Sequence, residues 1–291
     1  MERREYFQTI NGLRLRVLEW GDTSAFPVVM MHGIRGYAET FATLAQALAP
    51  EFRVIAYDQR GRGESEWDPA REYYTDAYVS DLQALIASLG LTRYDMLGHS
   101  MGGINAMVYA AQRPSGLRRM VIEDAGPGAF ENSRGATRIR GELETTPVSF
   151  ATWAQARDFM RGLRPGVTEA ARESRLRNML KPAAAGGYTW RYDHAGIAHT
   201  RLNPDPARVV DLWPCVERIA CSTLVLRGGA SDYLQASAAE EMTRRNACIE
   251  WADIPDAGHY IHDDQPALVS RVVREFLLDG GPLPGKAAAC R

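Results

Sequence analysis

Ser100 stands in Gly98-His99-Ser100-Met101-Gly102-Gly103, between an apolar run over 94–97 and an apolar-periodic run over 101–112. This is a serine placed where a strand has to become a helix with almost no connecting chain. Two elements that cross so closely leave no room for Cβ atoms, which accounts for glycine at 98 and 102, with Gly103 extending the relief by one residue. The turn also drives Ser100 toward a strained, positive φ and pushes its hydroxyl out of the backbone into a cleft. A G-x-S-x-G in this context is a nucleophile elbow, and it commits the chain to a strand-turn-helix unit. The plainer reading, a glycine-rich turn with an ordinary surface serine, is dismissed only if the serine has chemical partners.

Such partners are present. An active elbow needs a base for the serine proton, an acid to orient that base, and backbone donors for a tetrahedral oxyanion. Residues 223–229 read as a buried strand closed by Gly228 and Gly229, with Asp232 three residues on in a loop. Residues 249–254 read as another strand, and the following 255–259 put His259 in the loop at its C-terminal end. Acid then histidine, both after the serine, is the chain order this architecture requires. Upstream, the apolar strand 28–31 runs into His32-Gly33-Ile34-Arg35-Gly36, where Ile34 is placed to offer one backbone donor and Met101 the other.

Together these motifs resemble the α/β-hydrolase-fold superfamily, serine-nucleophile type. Three further stretches are similar to it: Asp58-Gln-Arg-Gly-Arg-Gly-Glu-Ser65 after the strand 54–57, the strand 120–123 followed by Asp124, and Gly258-His259 followed by Asp264-Gln265-Pro266. The likeness covers about residues 5–278 and is weaker in the middle. It implies a Ser100–His259–Asp232 triad, with Asp124 as the rival acid, because some superfamily members place the acid after the sixth strand. It also implies a helical cap inserted at that point.

Periodicity gives the organisation. Residues 5–10 and 13–20, joined at Asn11-Gly12, read as an antiparallel hairpin. Short apolar strands at 28–31, 54–57, 94–97, 120–123, 223–227 and 249–254 alternate with helical patterns near 39–48, 75–89, 101–112, 236–245 and 265–278. That alternation predicts an α/β fold with a mostly parallel sheet of about eight strands and helices on both faces. The expected core comprises residues 1–126 and 213–278, the helical cap 127–212, and a disordered tail 279–291. Helices are expected in the cap near 149–161 and 168–180, with a Pro/Gly seam at 182–187 and a loop over 187–194. That loop carries Tyr188, Trp190 and Tyr192, which either wall an apolar pocket or dock the cap.

Composition excludes several classes. With 34 basic and 36 acidic residues the net charge is −2, which leaves no electrostatic footprint for nucleic acid. No stretch approaches 18 apolar residues and the N-terminus has no apolar signal core, so a cytoplasmic protein without membrane association is expected. The cysteines at 215, 221, 248 and 290 lack C-x-x-C pairing and read as free thiols. The chemistry calls for neither cofactor nor metal, and the oligomeric state is not legible.

Among competing residues, Asp256 reads as a turn former, His262 lacks the preceding glycine, and His99 points beneath the nucleophile. His32 orders the Ile34 loop, and His194 and His199 are surface or pocket-wall residues. Arg35 either meets a substrate carboxylate or is simply solvated. The resemblance implies hydrolysis of a carboxylic ester, lactone or thioester of a small apolar or aromatic molecule. The alternative is carbon–carbon bond hydrolysis of the meta-cleavage-product or β-diketone type; a non-hydrolytic role stands third.

Overall fold

The structure is a computed structural model that describes residues 3–164 and 167–279. Asn11 and Gly12, both at positive φ, close the hairpin of β1 (Arg4–Ile10) and β2 (Leu13–Trp20). Then follow β3 (Phe26–Met31), α1 (Ala42–Leu48), β4 (Phe52–Tyr57), α2 (Thr75–Ser88), β5 (Tyr94–His99), α3 (Met101–Ala110) and β6 (Leu117–Glu123). An insertion comes next: α4 (Ala129–Asn132), α5 (Arg134–Thr145), β7 (Ser149–Phe150), α6 (Trp153–Leu163), α7 (Glu169–Met179), β8 (Leu180–Pro182), β9 (Tyr188–Trp190) and α8 (His194–Leu202). The chain returns through α9 (Trp213–Arg218), β10 (Ser222–Gly228), α10 (Ala236–Arg245), β11 (Ile249–Ile254), α11 (Ile261–Asp264) and α12 (Pro266–Asp279).

Eight strands form one sheet in the order β1-β2-β4-β3-β5-β6-β10-β11. Pairing is antiparallel for β1/β2 and β2/β4 and parallel from β4 onward. This is the mostly parallel α/β sheet that the sequence predicts. Alternation along each strand divides the core into two layers. Val29, Met31, Ile55, Met96 and Ile122 face α2 and α3 on one side. Val28, Met30, Val54, Leu97 and Val121 face α1 and α12 on the other. A strand buried on both faces is apolar at most positions, and each buried apolar side chain contributes roughly 1.5–3 kcal/mol. An exception, Asp95 in β5, is paired with Arg118.

The insertion has its own core, in which Phe150, Met160, Leu176 and Trp190 pack together and meet Ile34, Met101 and Tyr233 of the sheet domain. Two of its helices, α6 and α7, fall where the periodicity puts them. The segment expected to be a loop over 187–194 is instead β9 leading into α8, in a small antiparallel sheet ordered β7-β9-β8. The cause is visible in retrospect: Tyr188, Trp190 and Tyr192 alternate with polar residues at strand period. The Pro/Gly seam is the turn between β8 and β9, with Gly186 and Gly187 at positive φ. At the far end α12 runs to Asp279, one residue into the expected tail, and 280–291 lie outside the described residues. Cys215 and Cys221 are free thiols, whereas Cys248 is disulfide-bonded, which corrects the expectation for that residue; Cys290 lies outside the described residues.

Candidate active site

The elbow folds as its glycines require. Ser100 sits between β5 and α3 at φ 53°, ψ −118°, a conformation that non-glycine residues avoid unless their surroundings enforce it. A Cβ on Gly98 would lie 2.4 Å from the Gly102 carbonyl oxygen, and one on Gly102 would lie 2.1 Å from the Met31 carbonyl oxygen. Neither contact is survivable, so strand and helix can cross here only with glycine at both positions. The Ser100 N–H donates to the Glu123 carbonyl at 2.9 Å, tying the turn to the end of β6.

The hydroxyl of Ser100 meets Nε2 of His259 at 3.0 Å, and Nδ1 of the same ring meets Oδ2 of Asp124 at 2.7 Å. A carboxylate can only accept, so Nδ1 carries the proton and Nε2 is left to accept from Ser100. All three residues are buried, with Asp124 at 0% exposure and His259 at 8%.

The expected acid, Asp232, is not in this chain of hydrogen bonds. Its carboxylate is held by Arg138 of α5 through two bonds of 2.9 Å, to Nε and Nη2, and it is half-buried. Arg138 holds its pKa below the ordinary aspartate value, chiefly by that hydrogen bonding. The physical reason for the exchange is in the loops. Asp124 directly follows β6, next to the elbow strand, and turns at φ 47° to present its carboxylate to His259. It is fixed there by the Gly228 N–H at 3.1 Å and the Ser231 hydroxyl at 2.6 Å. The loop after β10 thus reaches the site through Ser231 rather than through Asp232, and Ser231 was not singled out in the sequence.

The two residues expected to supply backbone donors, Ile34 and Met101, flank Ser100 in the cleft lining. Met101 is the first residue of α3, whose leading N–H groups have no carbonyl a turn behind them. Among the described residues, the N–H groups of Ile34 and Met101 donate no hydrogen bond. The Ile34 loop is braced from below. His32 Nδ1 meets the Gly33 carbonyl at 2.8 Å, and its Nε2 accepts the Gln59 N–H at 3.0 Å. Burial pushes the pKa of His32 down to about 3, so the ring stays neutral and keeps this tautomer. Arg62, from the glycine-rich stretch 58–65, donates to the Ile34 carbonyl at 3.1 Å. His99 meets the His259 carbonyl through Nε2 at 2.9 Å, steadying the backbone of the base. His262 is bonded to Glu123 at 2.5 Å and has no contact with Ser100.

The space over Ser100 is small, about 10 Å³, near the least that holds one water. From the sheet side it is lined by Ile34, Met101 and Tyr233, and from the insertion by Phe130, Ile139 and Arg201. Trp190 and Tyr192, for which pocket wall and cap docking were both open, are not among its lining residues. Trp190 is 2% exposed, donates through Nε1 to the Pro147 carbonyl at 2.7 Å and packs edge-on to Phe150. Tyr192 stacks on Trp190 with ring centroids 5.1 Å apart. Both belong to the interior of the insertion. Arg35 is ion-paired with Glu142 of α5 rather than left open to solvent. His199 is exposed, and His194 is half-buried beside Tyr192. Asp256 occupies an exposed turn at φ 58°.

No helix of the described residues is long and apolar enough to cross a membrane, and among them no group of three or more His, Cys, Asp or Glu could hold a metal ion.

Residues 27–266 match the family described as alpha/beta hydrolase fold. The chain is 32% identical to a 3-hydroxybutyrate-oligomer hydrolase of Cupriavidus necator, over 84% of this chain and 87% of that protein. It is also 32% identical to the mouse (Mus musculus) sn-1-specific diacylglycerol lipase ABHD11, over 88% of this chain and 82% of the relative. Among solved structures, that of E-2-(acetamidomethylene)succinate hydrolase superimposes with a TM-score of 0.82 at 25% identity, covering 95% of this chain and 99% of the other.

Proposed function

The chain belongs to the alpha/beta hydrolase fold family, and from that premise we propose that it is a serine hydrolase of small carboxylic esters, lactones and thioesters included. The observation that carries this reading is the unbroken line from the Ser100 hydroxyl through His259 to Asp124, at 3.0 and 2.7 Å. The named relatives are hydrolases, and two of them act on oligomer or glyceride substrates by name.

In the mechanism, Ser100 Oγ attacks the carbonyl carbon while its proton passes to Nε2 of His259. Asp124 stabilises the imidazolium through Nδ1–H. The negative charge that develops on the carbonyl oxygen is met by the free N–H groups of Ile34 and Met101, the latter at the positive end of α3. Collapse of the tetrahedral species expels the alkoxide, which takes its proton from His259 and leaves an acyl-serine. Water, deprotonated by the same histidine, then attacks the acyl carbon and releases the acid. The insertion acts as a cap: with about 10 Å³ free above Ser100, it must part from the sheet before a substrate enters.

The test is labelling with a fluorophosphonate probe together with a panel of p-nitrophenyl esters set beside meta-cleavage dienones. Labelling and ester turnover, both lost in Ser100→Ala, are the expected results. Label that survives the substitution removes Ser100 from the mechanism. Turnover of the dienones with the esters untouched would move the reaction to carbon–carbon bond hydrolysis.

A further inference from the structure

Arg201, in the last turn of α8, points into the same cleft as Ser100. Among the described residues its guanidinium makes no hydrogen bond and no ion pair, and its Nε is buried without a partner. Three other arginines that the fold encloses are matched. Arg60 is held by Asp81 through bonds of 2.6 Å, Arg35 by Glu142, and Arg62 by the carbonyls of Ile34 and Arg60 at 3.1 and 3.0 Å. What Arg201 has instead is the ring of Phe130, whose centroid lies 5.5 Å from its guanidinium carbon.

The magnitudes do not balance. A cation–π contact offsets only part of what it costs to enclose an unpaired ion. The surroundings offer no carboxylate, since Ile34, Met101, Phe130 and Ile139 wall the cleft with apolar surface and Ser100 and Tyr233 add to its lining. Arginine does not escape by losing its proton. A cation without a counter-ion beside a nucleophile is an incomplete ion pair, and its planar fork fits a carboxylate through two parallel bonds.

We propose that Arg201 is the subsite for a carboxylate carried by the substrate, so that this enzyme prefers esters bearing a free acid group over neutral ones. The proposal rests on the serine-hydrolase reading and names its substrate class. The ester carbonyl sits at Ser100 between the Ile34 and Met101 N–H groups, and the distal carboxylate lies under α8 against Arg201. Arg201 then sets specificity: it supplies the counter-charge for one part of the substrate while the triad acts on another. An ester without that acid group leaves the guanidinium desolvated and unpaired when the insertion closes, which penalises it relative to its acidic counterpart.

The experiment compares mono-p-nitrophenyl glutarate with p-nitrophenyl pentanoate, a neutral ester of the same chain length. The wild-type protein should favour the acidic ester in kcat/KM, and Arg201→Gln should lower the acidic-to-neutral ratio by about 100-fold. Arg201→Lys, which keeps the charge but loses the fork, should fall between them. A second readout does not depend on turnover: glutarate should raise the melting temperature of the Ser100→Ala protein and not that of Ser100→Ala combined with Arg201→Gln. An unchanged ratio in Arg201→Gln overturns the proposal, as does glutarate stabilisation equal in both proteins. Should the Gln variant not fold, the wild-type ester preference and the glutarate shift of Ser100→Ala decide, and absence of both overturns it. Failure of the hydrolase reading is distinct from these outcomes, because it would show as a lack of fluorophosphonate labelling at Ser100.

Discussion

The sheet and the insertion over its C-terminal edge are built on different physical terms. The sheet's interior is aliphatic: Val28, Val29, Met30, Val54, Leu97, Val121 and Leu226 are fully buried in two layers that need no polar partners. The insertion is held by aromatic packing around Trp190 and by charge ties that reach across to the sheet, Arg35–Glu142 and Arg138–Asp232 among them. The first kind of interior is close to rigid, because any displacement opens voids. The second is tied in part by a solvent-screened pair, Arg138–Asp232, and such pairs are individually weak. The contrast suits a division of labour: the sheet fixes where atoms react, and the insertion decides what reaches them.

Two substitutions on the sheet side, Ser100→Ala and Asp124→Asn, should have the largest consequences if that division holds, with Asp232→Asn as their control. Ser100→Ala removes the nucleophile and should lower kcat by about 10⁶, as loss of a triad serine does elsewhere. Asp124→Asn keeps the shape but reverses the donor at Nδ1, favouring the wrong imidazole tautomer; kcat should drop by about 10⁴. Asp232→Asn should cost less than about tenfold, because that carboxylate serves Arg138 and not His259. Steady-state kinetics on one ester checks all three. A loss in Asp232→Asn as great as in Asp124→Asn would mean that the site rearranges when substrate binds.

Next in size is the interior of the insertion. Trp190→Ala deletes a ring that packs on Phe150 and Tyr192 and leaves the Pro147 carbonyl without its donor. A loss of about 3–5 kcal/mol in stability is expected, read by thermal or chemical denaturation. Catalytic loss should be alike for small and bulky esters, because Trp190 does not line the space over Ser100. Selective loss on bulky esters, with stability intact, would return Trp190 to the pocket wall and blur the line between the two interiors.

The same contrast governs what could be read from the chain. Strands with both faces covered are apolar at successive positions, so 28–31 and 54–57 announce themselves, and the glycines around Ser100 state the turn outright. The choice between Asp124 and Asp232 was not legible. Both follow parallel strands that lie side by side in the sheet, and both sit in loops at the C-terminal edge. What separates them is Arg138, which comes 94 residues before Asp232 and occupies its carboxylate. Nothing in local sequence pairs those two. Arg201 was silent for a similar reason: in a chain rich in arginine, only three-dimensional accounting reveals which guanidinium lacks a carboxylate. β9 is legible in its spacing alone: three aromatics within five positions suggest a pocket, but their spacing of two is that of a strand.

The smallest effect, and the one that most sharpens the contrast, concerns the ties across the seam. Glu142 accepts from both Arg35 and Arg138, and Arg138 in turn holds Asp232, so one charged line joins the Ile34 loop, α5 and the loop after β10. Arg138 and Asp232 are each about one-third exposed, at 38% and 32%, so solvent screens them and the pair is worth about 1 kcal/mol or less. The pH dependence has a definite sign. Hydrogen bonding to Arg138 lowers the pKa of Asp232 in the folded protein, so its contribution is present above the ordinary aspartate value and is lost as pH falls through the folded value. Asp232→Asn should therefore flatten the acid side of the stability-against-pH curve while changing stability at neutral pH only slightly. If the insertion parts from the sheet for entry as proposed, added salt should weaken this tie further and lower KM before it lowers kcat. Denaturation and kinetics on both proteins, at two ionic strengths and from pH 7 down to pH 3, measure this directly. A salt effect of the same size in wild type and Asp232→Asn would show that the seam is held by its apolar contacts alone, and the insertion would then have to be counted with the sheet as one rigid interior.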